Sequence, residues 1–240
     1  MALSSKTLFQ FTTKRDTLEE ILKSKFLWPR YCTEYFWGKY RFAFPMMCLC
    51  DIPLSEINTH IMHYGNYGIG MSKEWASKLK ELSSVIYTRR DTYLYKNVIS
   101  ILKRHEKGEE LSSEEIFLLS RAKKYSGNTY CSPNGKRVLT SKVRFYDERE
   151  WRFVPRSLSS SDIFVEKNQE INPIPGDNDK TRGNPKFEYD DIKYLIVKND
   201  SERVNLIKFI DKKLMTIVNK AEMTLLKSKI LTVKQIKEDF

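Results

Sequence analysis

Residues 42–52 read FAFPMMCLCDI, an apolar run interrupted by Pro45. A short apolar run of this kind predicts a buried strand, here from about Met46. Aromatic and β-branched residues recur in other segments and predict strands there too. These segments are Thr7–Thr12, 84–88, 136–155, Ile192–Val197 and 229–236.

Helices are predicted between these strands from apolar residues at helical spacing and from capping residues. Ser112 and Glu115 have the spacing of a capping box. The predicted helices cover residues 18–25 (capped by Asp16 or Thr17), 57–62, 72–82, 92–107, 112–124 and 201–219. The resulting fold class is α+β, a single domain over residues 1–240 with a mixed β core, flanking helices, a helical insertion at about 92–125 and a long loop at about 157–190.

Composition limits the classes of function. The chain has 240 residues, 40% of them hydrophobic, which suffices for a packed core and excludes wholesale disorder. No run approaches about 18 apolar residues, and the N-terminus does not resemble a secretory signal, so we expect a cytoplasmic protein without a membrane partner. Of the four cysteines, Cys48 and Cys50 form a CxC, but the three histidines complete no convincing zinc site; buried reduced thiols are favoured over a metal.

The net charge of +11 predicts a polyanionic partner, and it is concentrated in one segment. Residues 121–156 carry 10 basic and 3 acidic side chains, a net charge of +7. A solvated face is the ordinary explanation of such a segment, and a phosphate-binding surface is the functional one. The candidate nucleic-acid-binding residues are Lys123, Lys124, Lys136, Arg137, Arg144 and Arg152.

The same basic segment includes an acidic motif, FYDEREWRFVP at residues 145–155. In a strand, alternation would place Glu148, Glu150 and Arg152 on one face. Two neighbouring carboxylates can stabilise an oxocarbenium-like transition state and activate an acceptor, which is the chemistry of glycosyl transfer. The alternative is a solvated strand face held by salt bridges, since paired carboxylates repel unless cations compensate them.

A glycine-rich segment, YGNYGIG at residues 64–70, is a second candidate site. It matches neither of the glycine fingerprints for phosphate binding. Glycines permit close backbone approach to a flat ligand, and Tyr64 and Tyr67 offer stacking faces. The alternative is a turn followed by an edge strand.

Five segments, in this order, resemble the AbiGi family of abortive-infection proteins: LFQFT, MMCLCDIPLS, YGNYGIGMSKEWA after His60, FYDEREWRFVP, and IKYLIV followed by a helix. The resemblance covers most of the chain. Because the family is described as the antitoxin component of phage-resistance systems, it implies a partner protein rather than an enzyme.

The pattern also resembles a divergent ADP-ribosyltransferase. This resemblance implies an ADP-ribosyltransferase-like fold, NAD as substrate without a metal, Glu150 as the catalytic acid and Glu148 on the acceptor side. It implies that Tyr64, Tyr67 and Gly68 line the nicotinamide end and that Gln10 and Thr12 of the first strand contact the dinucleotide. Gln10 departs from the pattern, which has His or Arg there; glutamine can hydrogen-bond but brings no charge.

Three functions follow as hypotheses. The first, which we favour from the sequence, is an NAD-dependent ADP-ribosyltransferase toxin of phage defence that modifies RNA, DNA or protein. The second is a catalytically inactive antitoxin of the same fold that neutralises a partner toxin by direct binding. The third is a plain nucleic-acid-binding module, for which charge is the only support.

Overall fold

The computed structural model describes residues 5–36, 40–131, 138–166, 183–216 and 218–239. Its architecture is α+β, as the sequence predicts. The strands are β1 Thr7–Thr12, β2 Arg30–Phe36, β3 Tyr40–Cys50, β4 Tyr67–Ser72, β5 Leu82–Ser84, β6 Ile86–Thr88, β7 Ala122–Lys124, β8 Gly127–Cys131, β9 Val138–Val143, β10 Glu150–Phe153, β11 Phe164–Glu166, β12 Ile192–Val197 and β13 Ile230–Thr232. The α-helices are α1 Arg15–Ser24, α2 Asn58–Tyr64, α3 Lys73–Ala76, α4 Tyr93–Glu106, α5 Ser113–Arg121, α6 Asp200–Phe209, α7 Lys220–Ser228 and α8 Val233–Asp239.

Within the described ranges, nine strands form one sheet, in which the main order is β13-β12-β4-β1-β3-β10-β5 and both β2 and β11 also pair with β3. The sheet is mixed because β12 and β13 run parallel while the other pairs are antiparallel. Two smaller sheets join β6 to β7 in parallel and β8 to β9 in antiparallel orientation.

Most of the apolar run at residues 42–52 lies in β3, which has 11 residues and starts earlier than predicted, at Tyr40. On one side β11 pairs with residues 41–43 and β10 with residues 47–50. Pro45 falls between these two segments. Among the described residues, no strand pairs with β3 on that side at this residue, so the missing N–H of proline costs no hydrogen bond. The strand therefore continues through the proline without a break.

The sheet is covered by apolar residues on both faces. Successive side chains of β1 point alternately to one face and to the other. Leu8 packs into the largest core cluster with residues of α1, α3 and α6. Its neighbour Phe9 points to the opposite face, where Ile61 of α2 and Ile236 of α8 pack. A third cluster packs α4 and α5 against the first half of β3. Period-two alternation thus places β1 between two apolar layers.

Capping residues mark the start of several helices, and two of them, Ser72 and Ser112, are predicted. The side chains of Thr92, Ser112 and Ser72 accept hydrogen bonds from the backbone of α4, α5 and α3, and Ser112 with Glu115 forms the full capping box. For α1 the predicted caps are wrong, because Lys14 occupies the cap position without a side-chain hydrogen bond.

Helix ends differ more from expectation. The segment predicted as the end of the second insertion helix is β7, which pairs with β6. The predicted helix 72–82 ends at Ala76, and the predicted helix 201–219 gives way to a π-helical turn at Ile210–Leu214. The predicted last strand is confirmed only as β13, after which α8 begins. Tertiary packing, which local propensity does not contain, sets these ends.

The predicted continuous strand through the acidic motif is wrong. Residues Phe145–Glu148 form a 3-10 helix, and β10 begins only at Glu150. Arg149 between them has φ 43°, a left-handed conformation that reverses the strand alternation at this point. The predicted long loop contains β11 and a 3-10 helix at Ser160–Asp162, while residues 167–182 lie outside the described part.

The glycine-rich segment is a central strand rather than an edge strand, since β4 lies between β1 and β12. A Cβ at Gly70 would come within 2.8 Å of the Phe9 ring, and one at Gly68 within 2.9 Å of the Phe11 ring. These glycines therefore make room for the phenylalanines of β1. Among the described residues, no helix combines the length and apolar character needed to cross a bilayer.

Candidate functional site

A cavity of about 510 Å³ opens where β1 leaves β3. The two strands are in register at Phe9 and Cys50, whereas six residue pairs join β1 to β4. Beyond that pair, side chains of β2 and β3 form one wall and those of β1 and α2 the other. Its lining includes Gln10, Glu34, Tyr64, Lys123, Glu148 and Glu150.

The floor of the cavity is a network of paired charges. Glu150 is 6% exposed, and its two carboxylate oxygens accept from Arg152 Nε and from Lys123 Nζ. Glu148 accepts from Lys123 Nζ at 2.5 Å and from the Tyr64 hydroxyl at 2.8 Å. We call Glu34, Lys123, Glu148, Glu150 and Arg152 the buried charge network. The network brings the two predicted acids together, although through a bridging cation and not through strand alternation.

The cations decide the ionisation of Glu150. Burial alone would raise the pKa of this carboxyl, but Arg152 and Lys123 outweigh burial and hold the pKa well below its ordinary value. Burial alone would likewise lower the pKa of Lys123, and the carboxylates of Glu150 and Glu148 instead raise it well above the ordinary value. Glu150 and Lys123 are therefore both charged at neutral pH.

Arg152 anchors the network from below. Its side chain is 0% exposed, and its guanidinium also donates to Glu34 and to the backbone oxygens of Ser120 and Ala122. Burial raises the pKa of Glu34, and Arg152 only partly opposes this. The guanidinium fork thus joins β10 to β2 and to the α5–β7 junction.

His60 and Tyr64 of α2 close the network on the β1 side. His60 is 7% exposed, and burial lowers its pKa to about 4, so the imidazole is neutral at physiological pH. The His60 ring lies 5.4 Å from that of Tyr64 and 6.2 Å from that of Phe11, between centroids. Burial and the neighbouring Glu148 raise the pKa of the Tyr64 hydroxyl well above its ordinary value, so it acts as a donor.

The predicted dinucleotide residues separate into two places. Gln10 and Tyr64 line the large cavity, and Gln10 Oε1 is buried without a hydrogen-bond partner among the described residues. Gln10 also lines an adjoining cavity of about 120 Å³ together with Thr12 and Gly68. Tyr67 lies elsewhere, because its hydroxyl donates to Glu202 of α6 at 3.0 Å. The structure therefore joins four of the five, and Tyr67 does not line either cavity.

Of the four predicted phosphate-binding residues that the structure describes, three are buried. Lys123, Lys124 and Arg152 are 6%, 8% and 0% exposed, so they do not form the exposed basic face that the sequence predicts. Their charges are taken up internally; Lys124, for example, donates to the Asn128 carbonyl at 2.7 Å. Arg144 is exposed and donates to Asp147. Lys136 and Arg137 lie outside the described residues.

The cysteines of the CxC line the cavity. Cys50 donates to the Phe9 carbonyl, and burial raises its pKa well above the ordinary value. A hydrogen bond with Cys32 and, to a smaller extent, burial raise the pKa of Cys48 well above its ordinary value. Both are protonated thiols at neutral pH. Within the ranges that the structure describes, no group of His, Cys, Asp and Glu could hold a metal ion.

Sequence reasoning missed Glu34 and His60 as parts of the site and assigned Lys123 to the surface. Glu34 stands in RYCTEYF, where Glu is the only charged residue after the first, and α2 contributes His60 from a short helix. Neither shows a motif. A lone acid inside an aromatic-rich strand is the one available signal, since a buried carboxylate needs a cation.

These observations define an α+β protein whose cleft is closed at the floor by buried, mutually paired charges. The chain belongs to the AbiGi family: the family model, described as a putative abortive phage resistance protein AbiGi, antitoxin, matches residues 25–198. The abortive phage resistance protein AbiGi of Lactococcus lactis subsp. cremoris is 30% identical over 82% of this chain and 88% of its own length. The predicted family resemblance is therefore confirmed. No solved structure matches the chain.

Proposed function

We propose that this protein is the antitoxin of an abortive-infection pair and that it neutralises a partner toxin by direct binding. The description of the family as an antitoxin supports this function. In this proposal the buried charge network is structural, and surface residues make the contact with the toxin.

The observation that carries the proposal is the state of the two carboxylates. Each of the four oxygens of Glu148 and Glu150 already accepts a hydrogen bond from a side chain, namely Tyr64, Lys123 or Arg152. Each oxygen could accept a second hydrogen bond, but turning either carboxylate toward a sugar hydroxyl would break the bonds that it already makes to its cations. Breaking a buried pair is costly, because the remaining charge stays buried without a partner. The network therefore favours a role in holding the fold.

The test is co-expression with the product of the adjacent gene as the candidate toxin. We expect Glu150→Gln and Glu148→Gln to restore growth as wild type does, provided that circular dichroism shows folded protein. Glu114→Gln, which removes an exposed carboxylate from α5, is the matched control. Each variant that restores growth should also co-purify with the toxin. A folded Glu150→Gln that no longer neutralises would contradict the proposal.

The cavity favours a second candidate, an NAD-dependent ADP-ribosyltransferase with the corresponding fold. Its volume of about 510 Å³ is within the usual range for small-molecule sites. An ionised Glu150 at its floor has the charge needed to stabilise an oxocarbenium-like transition state, and Gln10 Oε1 offers an acceptor toward a ligand. In this candidate the exposed part of the basic segment, which includes Arg144, would serve a nucleic-acid or protein acceptor.

Release of nicotinamide from NAD tests this candidate. Activity in wild type that is lost in Glu150→Gln and kept in Glu114→Gln would support it. Wild-type protein that neither binds nor consumes NAD would exclude it, and this result would leave the antitoxin proposal intact.

A further inference from the structure

Three tyrosines from separate segments meet on one face of the molecule. The ring of Tyr146 lies 5.4 Å from Tyr125, stacked at 23°, and 5.3 Å from Tyr87, edge-on at 71°. Tyr146 is 41% exposed. Neither of the functions proposed above uses this group.

Backbone contacts hold the three segments together. Tyr87 pairs with Lys123 between β6 and β7, and Tyr125 N donates to the Thr88 carbonyl at 2.8 Å. Tyr146 N in turn donates to the Tyr125 carbonyl at 3.2 Å. The rings are therefore placed by main-chain hydrogen bonds, which makes the group a preformed platform and not a chance contact of mobile side chains.

One arginine contacts the platform, and three more lie next to its segments in the chain. The Arg149 guanidinium lies 5.6 Å from the centre of the Tyr146 ring and extends the stack. Arg144 precedes Tyr146 by two residues, and exposed Arg89 and Arg90 follow directly after β6. The acids that accompany them are Asp147, which accepts from Arg144, and Asp91. We call Tyr87, Tyr125, Tyr146, Arg89, Arg90, Arg144 and Arg149 the tyrosine–arginine face; with the two acids its net charge is 4 − 2 = +2.

We propose that the tyrosine–arginine face binds single-stranded nucleic acid. Aromatic rings and arginine planes stack unpaired bases, while the outer arginines contact phosphates. This combination differs from a purely basic patch, which attracts any polyanion. A base inside a duplex is already stacked on its neighbours and has no free face for Tyr146, so we expect a preference for single strands. RNA and DNA share the chemistry, and the experiment separates them.

The experiment measures fluorescence anisotropy of the full chain with labelled oligouridylate, oligothymidylate and a duplex, each about 12 nucleotides long. We expect both single strands to bind more tightly than the duplex. The strand that binds more tightly shows whether RNA or DNA is the preferred partner. Affinity should fall as salt rises, and Arg89→Gln with Arg90→Gln should flatten that dependence by about one to two phosphate contacts.

Tyr146→Ala should weaken binding of single strands roughly tenfold, the effect of losing one stacked base. Tyr146→Phe keeps the ring and should keep the affinity. Tyr93→Ala is the matched control, because Tyr93 is 87% exposed and has Lys96 Nζ 5.8 Å from its ring but lies at the start of α4. Its removal should leave binding unchanged.

Arg149→Gly is a second variant, and unlike Tyr146→Ala it does not remove a packed ring. Glycine accepts the left-handed conformation at this residue. This variant should weaken single-strand binding while the protein stays folded. The proposal is overturned if wild type binds duplex as tightly as single strands, if it binds no single strand at low salt, or if folded Tyr146→Ala and Arg149→Gly both bind like wild type. None of these results bears on toxin neutralisation.

Discussion

The buried charge network and the tyrosine–arginine face both draw on the same basic stretch of chain, residues 121–156, but they use their charges in opposite ways. In the network, Lys123 and Arg152 are withdrawn from water and satisfied by carboxylates. On the face, Arg144 and Arg149 remain accessible beside stacked rings. The net charge of a segment therefore does not show how much of it can reach a partner.

The two regions also differ in what a lost charge costs. A buried ion whose partner is removed keeps its desolvation penalty, whereas an exposed ion returns to water. Substitutions in the network should therefore act on stability, and substitutions on the face should act on binding.

Arg152→Ala should have the largest effect. It leaves Glu34 and Glu150 buried without their shared cation, and we expect the free energy of unfolding to fall by about 3–5 kcal/mol. Arg144→Ala is the matched control, since that guanidinium is exposed, and it should change stability by less than about 0.5 kcal/mol. Urea denaturation followed by circular dichroism measures both. Similar losses for the two arginines would remove the distinction between the regions.

Stability should also depend on pH through His60. Burial lowers its pKa to about 4 from an ordinary 6.5, so between these values the unfolded chain binds the proton and the folded chain does not. Above about pH 6.5 His60 is neutral in both states and does not reduce stability. As the pH falls toward 4, the free energy of unfolding decreases by about 3 kcal/mol. Denaturation at a series of pH values measures this slope.

His60→Phe keeps a ring beside Tyr64 and Phe11 and should flatten the slope in that window. Loss of stability below about pH 4.5 should persist in this variant, because it comes from Glu150, whose lowered pKa stabilises the fold only above the ordinary carboxyl range. An unchanged slope between pH 4 and 6.5 in His60→Phe would place the titrating group elsewhere.

Tyr87 connects the two regions. Its hydroxyl accepts from the backbone N–H of Glu150 at 2.8 Å, and its ring packs against Tyr146. Tyr87→Phe should cost about 1–3 kcal/mol, because a buried N–H loses its acceptor. The ring remains, so oligonucleotide affinity should stay close to that of wild type. Thermal melts and anisotropy on the same sample separate the effects; weaker binding with unchanged stability would reverse the assignment.

Arg149→Gly should have the smallest effect on stability. Glycine relieves the left-handed conformation at φ 43° but increases the freedom of the unfolded chain, and the two contributions nearly offset each other. We expect the free energy of unfolding to stay within about 1 kcal/mol of wild type. Chemical denaturation checks this, and a loss several times larger would show that the guanidinium is part of the structural network.

Much of the fold could be predicted from local patterns. β1 and β12 have the predicted bounds, and Ser112 and Ser72 cap helices as their spacing indicates. These features depend on residues close in the chain, which alternation and capping rules describe well.

The site was harder to predict because long-range contacts create it. Glu148 and Glu150 were identified as a pair, but strand alternation did not foresee the left-handed Arg149 between them. Glu34 reaches Arg152 across 118 positions of the chain, a contact that a single sequence does not display. The burial of Lys123 and Arg152 is likewise a result of packing, while charge counts treat all lysines and arginines alike.

Co-expression of folded Glu150→Gln with the candidate toxin shows whether the most deeply buried acid of the cleft is needed for neutralisation. We expect growth and toxin co-purification equal to those of wild type and of Glu114→Gln. Loss of neutralisation by Glu150→Gln, in protein that circular dichroism shows to be folded, would contradict the antitoxin proposal and favour catalysis in the cleft.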